Sequence, residues 1–300
     1  MGGEAMHLTR YHANPAAFAR RAEPYLLARE AEHCLQLGLC SSLVHTPAEY
    51  PDPYLALVAE GEHVLAVALR TPPFNLTLSH ISDTARLPEI VAAIATDTHA
   101  LYGEMLPGVT GPVEVCRAFV AEWRRLTGCG SRIILRERIY QLDTVIPPED
   151  VPGSMRRGGE ADRALLEAWL DAFMAEALPD SVREDNGAAW VARLFASPRR
   201  AAYLWEDPSG RPVALAAYGS PTASGIRIGP VYTPPEHRKR GYASALVAAL
   251  SQSLLDSGRR FCFLFTNLAN PTSNAIYQAI GYRPVSDVEV YAFIQVETEK

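Results

Sequence analysis

The chain has 300 residues, of which 48% are apolar and 21% charged. A chain of this length is expected to form two ordinary domains, because single hydrophobic cores rarely grow beyond about 250–300 residues. Its 34 acidic residues outnumber its 28 Lys and Arg residues, giving a net charge of −6. This balance argues against nucleic acid or an anionic membrane as a partner, because both require a basic face.

The cysteines and the apolar runs indicate a reduced, cytoplasmic protein. The five cysteines are irregularly spaced, and no CxxC pair or Cys/His cluster with zinc spacing occurs. We therefore expect buried free thiols and no metal site. No apolar run approaches the ~18–20 residues of a membrane span. The first residues also lack the apolar segment of a signal peptide.

The first half of the chain predicts helices and strands in a mixed order. Apolar residues recur at helical spacing over residues 18–37. Strands are predicted over 54–59 and 63–70, joined by the turn Glu60-Gly61-Glu62. A short strand over 76–78, helices over 87–102 and 112–126, and a strand over 131–142 complete this half.

A proline- and glycine-rich stretch over residues 145–159 is typical of an exposed linker. It predicts one domain over residues 1–147 and a second over 154–300. Helices are expected over 160–178 and 181–196, and a hairpin of strands over 201–206 and 212–218. A strand over 225–233, a helix over 241–256, a continuously apolar strand over 260–266, a helix over 271–280 and a strand over 287–295 follow. Because both halves share one order of elements, the pattern suggests an internal duplication.

The segment from Gly229 to Val247 is the most informative about function. A strand ends there, a loop with Gly241 follows, and an amphipathic helix begins. Unpaired backbone N–H groups at a helix N-terminus form an anion site, and a glycine allows close approach of a phosphate. Arg238, Lys239 and Arg240 add positive charge. Taken alone, this loop could equally be a solvated basic turn that caps a helix.

Two motifs resemble the signatures of the GNAT superfamily of N-acetyltransferases. Arg238-x-x-Gly241-x-Ala243 matches its pyrophosphate loop, (Gln/Arg)-x-x-Gly-x-(Gly/Ala). The segment Asn270 to Tyr282 resembles its second signature, Asn-x-x-(Ala/Ser)-x-x-x-Tyr-x-x-x-Gly-(Phe/Tyr). The second motif follows a predicted buried strand and lies about 30 residues beyond the first, which leaves room for one helix and one strand.

The resemblance implies an α/β (α+β) fold of two tandem GNAT-like domains. Each would have a mixed, mostly antiparallel central sheet flanked by helices, with a splayed strand pair at the acetyl-CoA site. The first domain is expected to be degenerate, because residues 73–86 lack the R-x-x-G-x-A spacing and no Asn…Tyr signature follows its last strand. The second would be catalytic.

The same resemblance assigns roles in the second domain. Backbone groups of Val231, Tyr232 and Thr233 would hold the thioester and the pantetheine arm, and Asn270 and Asn274 would also contact pantetheine. Asn270 could instead only cap its helix. Tyr277 would donate to the CoA sulfur, although it could instead be a packed aromatic residue. The pyrophosphate would lie against the loop residues Arg238, Lys239, Arg240, Gly241, Tyr242, Ala243 and Ser244.

These roles predict an acetyl-CoA-dependent N-acetyltransferase that uses direct transfer in a ternary complex, without a metal. The acceptor would be a primary amine of a small molecule or a peptide, and a monomer and a homodimer are both compatible with the sequence.

Phe265 occupies the position where many family members carry a general-base Glu. Glu184, Asp185 and His237 are alternative bases, although each is also explained as a surface residue. A non-catalytic acyl-CoA-binding or sensor protein of the same fold is the alternative function, and a nucleic-acid-binding module is disfavoured by charge.

Overall fold

The computed structural model describes residues 5–12, 14–177 and 186–294, which form eight α-helices and twelve β-strands. The helices are α1 (Pro15–Leu27), α2 (Cys34–His45), α3 (Leu87–Tyr102), α4 (Val113–Thr127), α5 (Arg163–Ala177), α6 (Gly187–Ala196), α7 (Tyr242–Asp256) and α8 (Pro271–Ala279). The strands are β1 (Met6–Arg10), β2 (Tyr54–Glu60), β3 (His63–Arg70), β4 (Leu76–Leu78), β5 (Gly108–Pro112), β6 (Gly130–Leu142), β7 (Ser154–Arg157), β8 (Ala201–Glu206), β9 (Pro212–Gly219), β10 (Gly225–Tyr232), β11 (Phe261–Asn267) and β12 (Arg283–Ile294).

The chain divides into two compact units whose limits differ from the halves of the sequence. The first unit contains Met1–Glu137 and Ser286–Lys300, and the second contains Arg138–Val285. The strand predicted near the C-terminus is present as β12. Its partner, however, is a strand of the first half, because Val288 pairs with Pro112 and Ala292 with Gly108 on β5. Each half of the sequence therefore contributes a segment to the other unit.

The first unit contains a mixed, mostly antiparallel sheet in the order β1-β2-β3-β4-β5-β12. Only β4 and β5 are parallel, with Leu76 opposite Val109. Helices α1 and α2 cover one face, where Phe18 and Leu26 pack on strands β2 and β3. Helices α3 and α4 cover the other, where Phe119 lies in a second core. Side chains on both faces of β2 and β3 are therefore buried.

The second unit repeats this arrangement in the order β6-β11-β10-β9-β8-β7. Strands β10 and β11 are parallel, whereas β7 to β10 are antiparallel neighbours. Helices α5 and α6 pack through Leu170 and Val191 on one face of the sheet. Helix α7 and the end of α8 pack through Leu246, Leu250 and Ile280 on the other. The predicted fold, with its tandem repeat and mostly antiparallel sheets, is confirmed.

Most predicted elements are present, and the structure adds detail at the first helical pattern and in the predicted linker. The helical pattern over 18–37 is two helices, because the chain turns at residues 28–33 and His33 fastens the turn by a 3.0 Å hydrogen bond to the Leu26 carbonyl. The predicted linker over 145–159 contains β7, whose Met155 pairs with Trp205 on β8. Strands β1, β5 and β7 were missed because each has five residues or fewer, too few for a clear pattern. The helix predicted over 181–196 begins outside the described residues.

The expected state of the thiols is confirmed, since all five cysteines are free and buried. Burial raises the pKa of the thiols of Cys40 and Cys262 to about 12. Such groups are unreactive at neutral pH. No helix in the described parts of the chain has both the length and the apolar character needed to cross a bilayer.

Candidate functional site

Strands β10 and β11 diverge inside the second unit. They pair only from Gly225 to Arg227, although β10 continues to Tyr232. On its other side β10 stays paired with β9, with one extra residue inserted between Ile228 and Val231. Such a bulge bends the strand that carries it. The end of β10, where Val231 and Tyr232 lie, therefore leaves β11 and has an edge of backbone groups that β11 does not use.

The loop after β10 has an unusual backbone conformation. Lys239 and Gly241 both have left-handed φ angles, 62° and 79° respectively. Gly241 is the N-cap of α7, and no side chain caps this helix. A side chain at position 241 would bring a Cβ atom within 2.9 Å of Val151. Glycine is therefore required here for both its φ angle and its lack of a side chain.

Six consecutive backbone N–H groups in this loop have no acceptor among the described residues. They belong to residues 239–244, and the first N–H group of the helix that is paired is that of Ala245, which bonds to the Gly241 carbonyl at 2.9 Å. A helix dipole adds about half a positive charge at this end. Unpaired N–H groups in a turn with left-handed residues form a concave anion site. The arrangement therefore suits a diphosphate.

Arg238 folds back onto the protein. Its Nε donates to the carbonyl of Thr233 at 2.8 Å, and a terminal nitrogen donates to Glu176 Oε2 at 2.6 Å. The Tyr232 hydroxyl also donates to Glu176, at 3.4 Å. Glu176 thus ties the loop to α5. Sequence motifs did not identify it, because it lies 62 residues from Arg238 on a helix without any motif.

Two buried polar atoms in the same loop lack partners among the described residues: Thr233 Oγ1 and His237 Nδ1. Buried polar atoms are paired in the great majority of cases, so these two atoms have hydrogen-bonding capacity left for a ligand or water. Both lie within the stretch that links the diverging strand to the unpaired N–H groups. The residues present therefore fit a ligand that carries a diphosphate and hydrogen-bonding groups.

The two asparagines of the second motif act mainly inside the protein. Asn270 Oδ1 caps α8 by accepting from the Ser273 N–H at 3.0 Å. Asn274 Nδ2 donates to the carbonyls of Asn267 and Asn270, and its oxygen accepts from the Tyr140 hydroxyl at 2.9 Å. The amide group of Asn274 is therefore fully used in holding the start of α8 against β6. A cofactor contact through it would replace one of these bonds.

Tyr277 lies in the core beside Tyr282, with the two rings 6.0 Å apart. The Tyr282 hydroxyl has a partner, Ser251, at 2.9 Å. By contrast, the Tyr277 hydroxyl has no hydrogen-bond partner among the described residues, and its side chain is only 8% exposed. Burial raises the pKa of Tyr277 to about 12. It is therefore a protonated phenol with an unused donor throughout the neutral range.

The structure places the residues considered for a general base in different surroundings. Phe265 lies on β11 with the Arg227 guanidinium 5.7 Å from its ring centre, so this position carries no base. Glu184 and Asp185 lie outside the described residues. His237 is in the loop itself, in the single turn of 3-10 helix Pro235–His237. Glu176 is a carboxylate that the structure brings to the end of β10, where it accepts from the Tyr232 hydroxyl.

The matching position of the first unit is filled by its own side chain. Before α3, the Asp83 carboxylate accepts from the N–H groups of Ala85 at 3.1 Å and Arg86 at 3.3 Å. Pro88, in the first turn of α3, has no N–H to offer. A carboxylate thus occupies the place that an anion would need. This supports the prediction of a degenerate first domain.

Comparisons with known proteins agree with this geometry. Residues 209–292 match the profile of the family described as FR47-like protein. None of the curated proteins matches the sequence. Three solved structures share the fold over nearly their full length. A GCN5-related N-acetyltransferase from Kribbella flavida is 18% identical, with 90% of this chain and 96% of that chain covered and a TM-score of 0.57.

A GCN5-related N-acetyltransferase from Sphaerobacter thermophilus is 15% identical, with 98% of each chain covered and a TM-score of 0.61. A tandem GNAT protein from the clavulanic acid biosynthesis pathway, solved without AcCoA, is 16% identical, with 99% of this chain and 100% of that chain covered and the same TM-score of 0.61. The resemblance to the GNAT superfamily is therefore confirmed. The chain shares the fold of these GCN5-related and tandem GNAT structures, and the same arrangement of strands and helices occurs twice in it.

Proposed function

We propose that this protein is an acetyl-CoA-dependent N-acetyltransferase that transfers an acetyl group directly to a primary amine. The domain containing the motifs, residues 154–300, would be catalytic, and the domain over residues 1–147 degenerate. The proposal rests above all on the six unpaired N–H groups of residues 239–244, which lie at the start of α7 directly after a strand that leaves its neighbour. This combination provides a diphosphate site and a place for a thioester within one continuous segment.

The binding roles follow from this geometry. Residues 239–244 would hold the diphosphate through main-chain N–H groups, with Lys239 and Arg240 adding positive charge. The edge of β10 at Val231, Tyr232 and Thr233 would hold the pantetheine arm and the thioester. Arg238 would act through the backbone, because its guanidinium is engaged by Thr233 and Glu176. Asn270 retains a side-chain N–H for pantetheine.

The chemistry needs an amine, a polarised carbonyl and a leaving thiol. N–H groups on the free edge of β10 would stabilise negative charge on the thioester oxygen, an effect commonly worth about 3 kcal/mol per donor. The C–S bond breaks as the C–N bond forms, the nitrogen loses its proton to water, and Tyr277 supplies a proton to the sulfur. A thiol normally has a pKa of about 8.5, so the sulfur can leave as a thiolate that then takes up a proton.

Incubation with acetyl-CoA and a panel of primary amines, including small molecules and peptides, tests the proposal. Free thiol would be detected as it is released, and the acetylated amine identified by mass. We expect thiol release to depend on an amine in the panel. Binding of CoA at one site with no turnover on any amine would favour the alternative, an acyl-CoA-binding or sensor protein. That alternative is motivated by Phe265, an apolar residue at the position where many members of the GNAT superfamily carry a general-base Glu.

A further inference from the structure

Arg227 lies at the point where strands β10 and β11 diverge. It is the last residue of β10 that pairs with β11, and its partner there is Phe263. Its neighbours in the strand, Ile226 and Ile228, belong to the core that packs against α7. Because successive side chains of a strand lie on alternate faces of a sheet, Arg227 lies on the other face, on which α5 and α6 pack. The sheet therefore separates its side chain from the helix that begins at the diphosphate loop.

Two contacts hold the Arg227 guanidinium. Its central carbon lies 5.7 Å from the ring centre of Phe265, which follows the last paired residue of β11 and so lies beside the gap between the two strands. One terminal nitrogen donates to Ser220 Oγ at 3.4 Å. Ser220 has a left-handed φ of 50°, a conformation that costs free energy in a residue other than glycine. The ring and the hydroxyl therefore fix the guanidinium at the border of this gap.

The Arg227 guanidinium has a charge that no carboxylate of the described residues balances. Its two contacts are with a neutral hydroxyl and an aromatic ring, and the side chain is half-buried. By contrast, Arg238 in the loop after β10 donates to the Glu176 carboxylate at 2.6 Å. A charge removed from part of its water favours a counter-charge, and the planar fork of a guanidinium matches the two oxygens of a carboxylate. The N–H groups of Arg227 that Ser220 does not use can therefore bind a carboxylate.

Strand β10 leads from Arg227 to the edge proposed for the thioester. Gly229 lies on the same face as Arg227, because Ile228 between them lies in the core beside α7. A Cβ atom added at Gly229 would meet no atom within 4 Å, so the space beside this part of the strand is open. Val231, at the proposed thioester edge, lies four residues beyond Arg227, a distance of at most about 13 Å along a strand. A ligand lying along β10 can therefore reach both places.

We infer that the amine acceptor of this protein carries a carboxylate and that Arg227 binds this carboxylate. The inference rests on the proposed function, because it requires the acetyl group to lie at the edge of β10 near Val231. The carboxylate would provide the counter-charge for Arg227, and the chain that joins it to the amine would lie in the open space beside Gly229. The expected acceptors are therefore small aminocarboxylates whose amine and carboxylate are several bonds apart.

Calorimetric titration of the full chain with 4-aminobutyrate and 6-aminohexanoate, in the presence of CoA, tests this inference. The carboxamide of each compound keeps the amine and the chain length but lacks the negative charge. We expect at least one aminocarboxylate to bind about tenfold or more tightly than its carboxamide, and Arg227→Gln to abolish the difference, because the charge-assisted hydrogen bonds are lost. Arg260→Gln is the matched control and should leave the difference unchanged. Its guanidinium also lies over a phenylalanine of β11, 5.2 Å from the Phe261 ring centre, but at the opposite end of the strand.

Thermal unfolding of each variant, together with Arg227→Lys, separates loss of the site from loss of the fold. The lysine keeps the charge but not the planar fork, so an intermediate affinity is expected. The inference is overturned if neither aminocarboxylate binds more tightly than its carboxamide, or if the Arg227→Gln and Arg260→Gln variants bind them equally well.

Thiol release from acetyl-CoA with the same four compounds distinguishes this inference from the proposed function. Aminocarboxylates that bind through Arg227 without any thiol release would count against the proposed function alone. Thiol release at equal rates from each aminocarboxylate and its carboxamide, with equal affinities, would count against the inference alone.

Discussion

Glu176 accepts a 2.6 Å hydrogen bond from Arg238, and this contact joins α5 to the loop that precedes α7. The same guanidinium donates to the Thr233 carbonyl at 2.8 Å, so the pair clamps the beginning of the loop against the end of β10. Arg238, which the resemblance assigns to pyrophosphate binding, therefore acts as a brace for the backbone that follows it. The two side chains are about half exposed, at 46% and 43%, so the contribution of the pair is modest.

Glu176→Gln should weaken CoA binding about two- to fivefold, because an exposed pair contributes about 0.5–1 kcal/mol to holding the loop. KM for acetyl-CoA should rise by a similar factor, while kcat at saturation stays nearly constant. Glu160→Gln, which removes another exposed pair with Arg163, is the control and should change neither value. A large fall in kcat with unchanged KM would contradict the bracing role and would assign Glu176 to the chemistry.

Gly241 and Gly210 form a matched pair for testing the diphosphate loop, since both have φ of 79°. Alanine at either position should cost about 1 kcal/mol of folding free energy because of left-handed strain. At Gly241 the added Cβ would also lie 2.9 Å from Val151, whereas at Gly210 nothing lies within 4 Å. We expect Gly241→Ala to weaken CoA binding about tenfold or more and Gly210→Ala to leave it unchanged. Calorimetry measures the affinity and thermal unfolding the stability; equal affinities would argue against this loop as the site.

The two units should differ in their capacity to bind CoA. In the first, the Asp83 carboxylate already accepts from the N–H groups of Ala85 and Arg86 before α3. An incoming phosphate would have to displace this carboxylate and would meet its charge. We therefore expect a stoichiometry of one CoA per chain in calorimetry or native mass spectrometry. Two equivalents of bound CoA would contradict the proposal that the first domain is degenerate.

The sequence predicts long, periodic elements well and short strands poorly. Helix α3 matches its predicted range because apolar residues recur regularly along it and a glycine follows its last residue. The short strands β1, β5 and β7 were missed, because pairing with a neighbour rather than local pattern makes them strands. At the site, both motifs were visible because their spacing is local. Glu176 and Tyr140 were not, because their roles arise from contacts with residues 62 and 134 positions away.

His33 should make the first unit sensitive to acid. Its Nδ1 lies 3.0 Å from the Leu26 carbonyl and its Nε2 accepts from the His80 N–H at 3.0 Å, so both nitrogens are used in the neutral form. Burial lowers the pKa of His33 from 6.5 to about 4. As the pH falls, His33 therefore becomes protonated in the unfolded chain at a higher pH than in the folded chain. The free energy of unfolding consequently decreases as the pH falls from about 6.5 to about 4.

The expected loss attributable to His33 is about 3 kcal/mol, since each pKa unit corresponds to about 1.4 kcal/mol. Denaturant unfolding at pH 7, 5.5 and 4 measures it. His33→Gln should be less stable at pH 7 but should lose less stability between pH 7 and 4 than the unaltered protein. His45→Gln, at an exposed position in α2, is the control and should retain the full pH dependence. An identical pH dependence with and without His33 would contradict this assignment.

Tyr277 and Tyr282 test the proposed acid, because they are adjacent buried phenols with different hydrogen bonding. The Tyr277 hydroxyl is free among the described residues, whereas that of Tyr282 is held by Ser251 at 2.9 Å. Tyr277→Phe should lower kcat about 10²-fold with little change in KM for acetyl-CoA, in line with loss of a positioned proton donor. Tyr282→Phe should lower stability by about 1 kcal/mol and leave kcat nearly unchanged, because it breaks a buried hydrogen bond away from the reacting atoms.

The pH profile distinguishes an acid from a packing residue. Because burial raises the pKa of Tyr277 to about 12, its phenol stays protonated well above neutrality. The rate should rise with pH as the amine acceptor loses its proton, and Tyr277 should cause no fall below about pH 11. If Tyr277→Phe keeps the full kcat and the same profile, the phenol is only a core aromatic residue. In that case the leaving sulfur takes its proton from water, and the splayed strand and the unpaired N–H groups would account for the remaining catalysis.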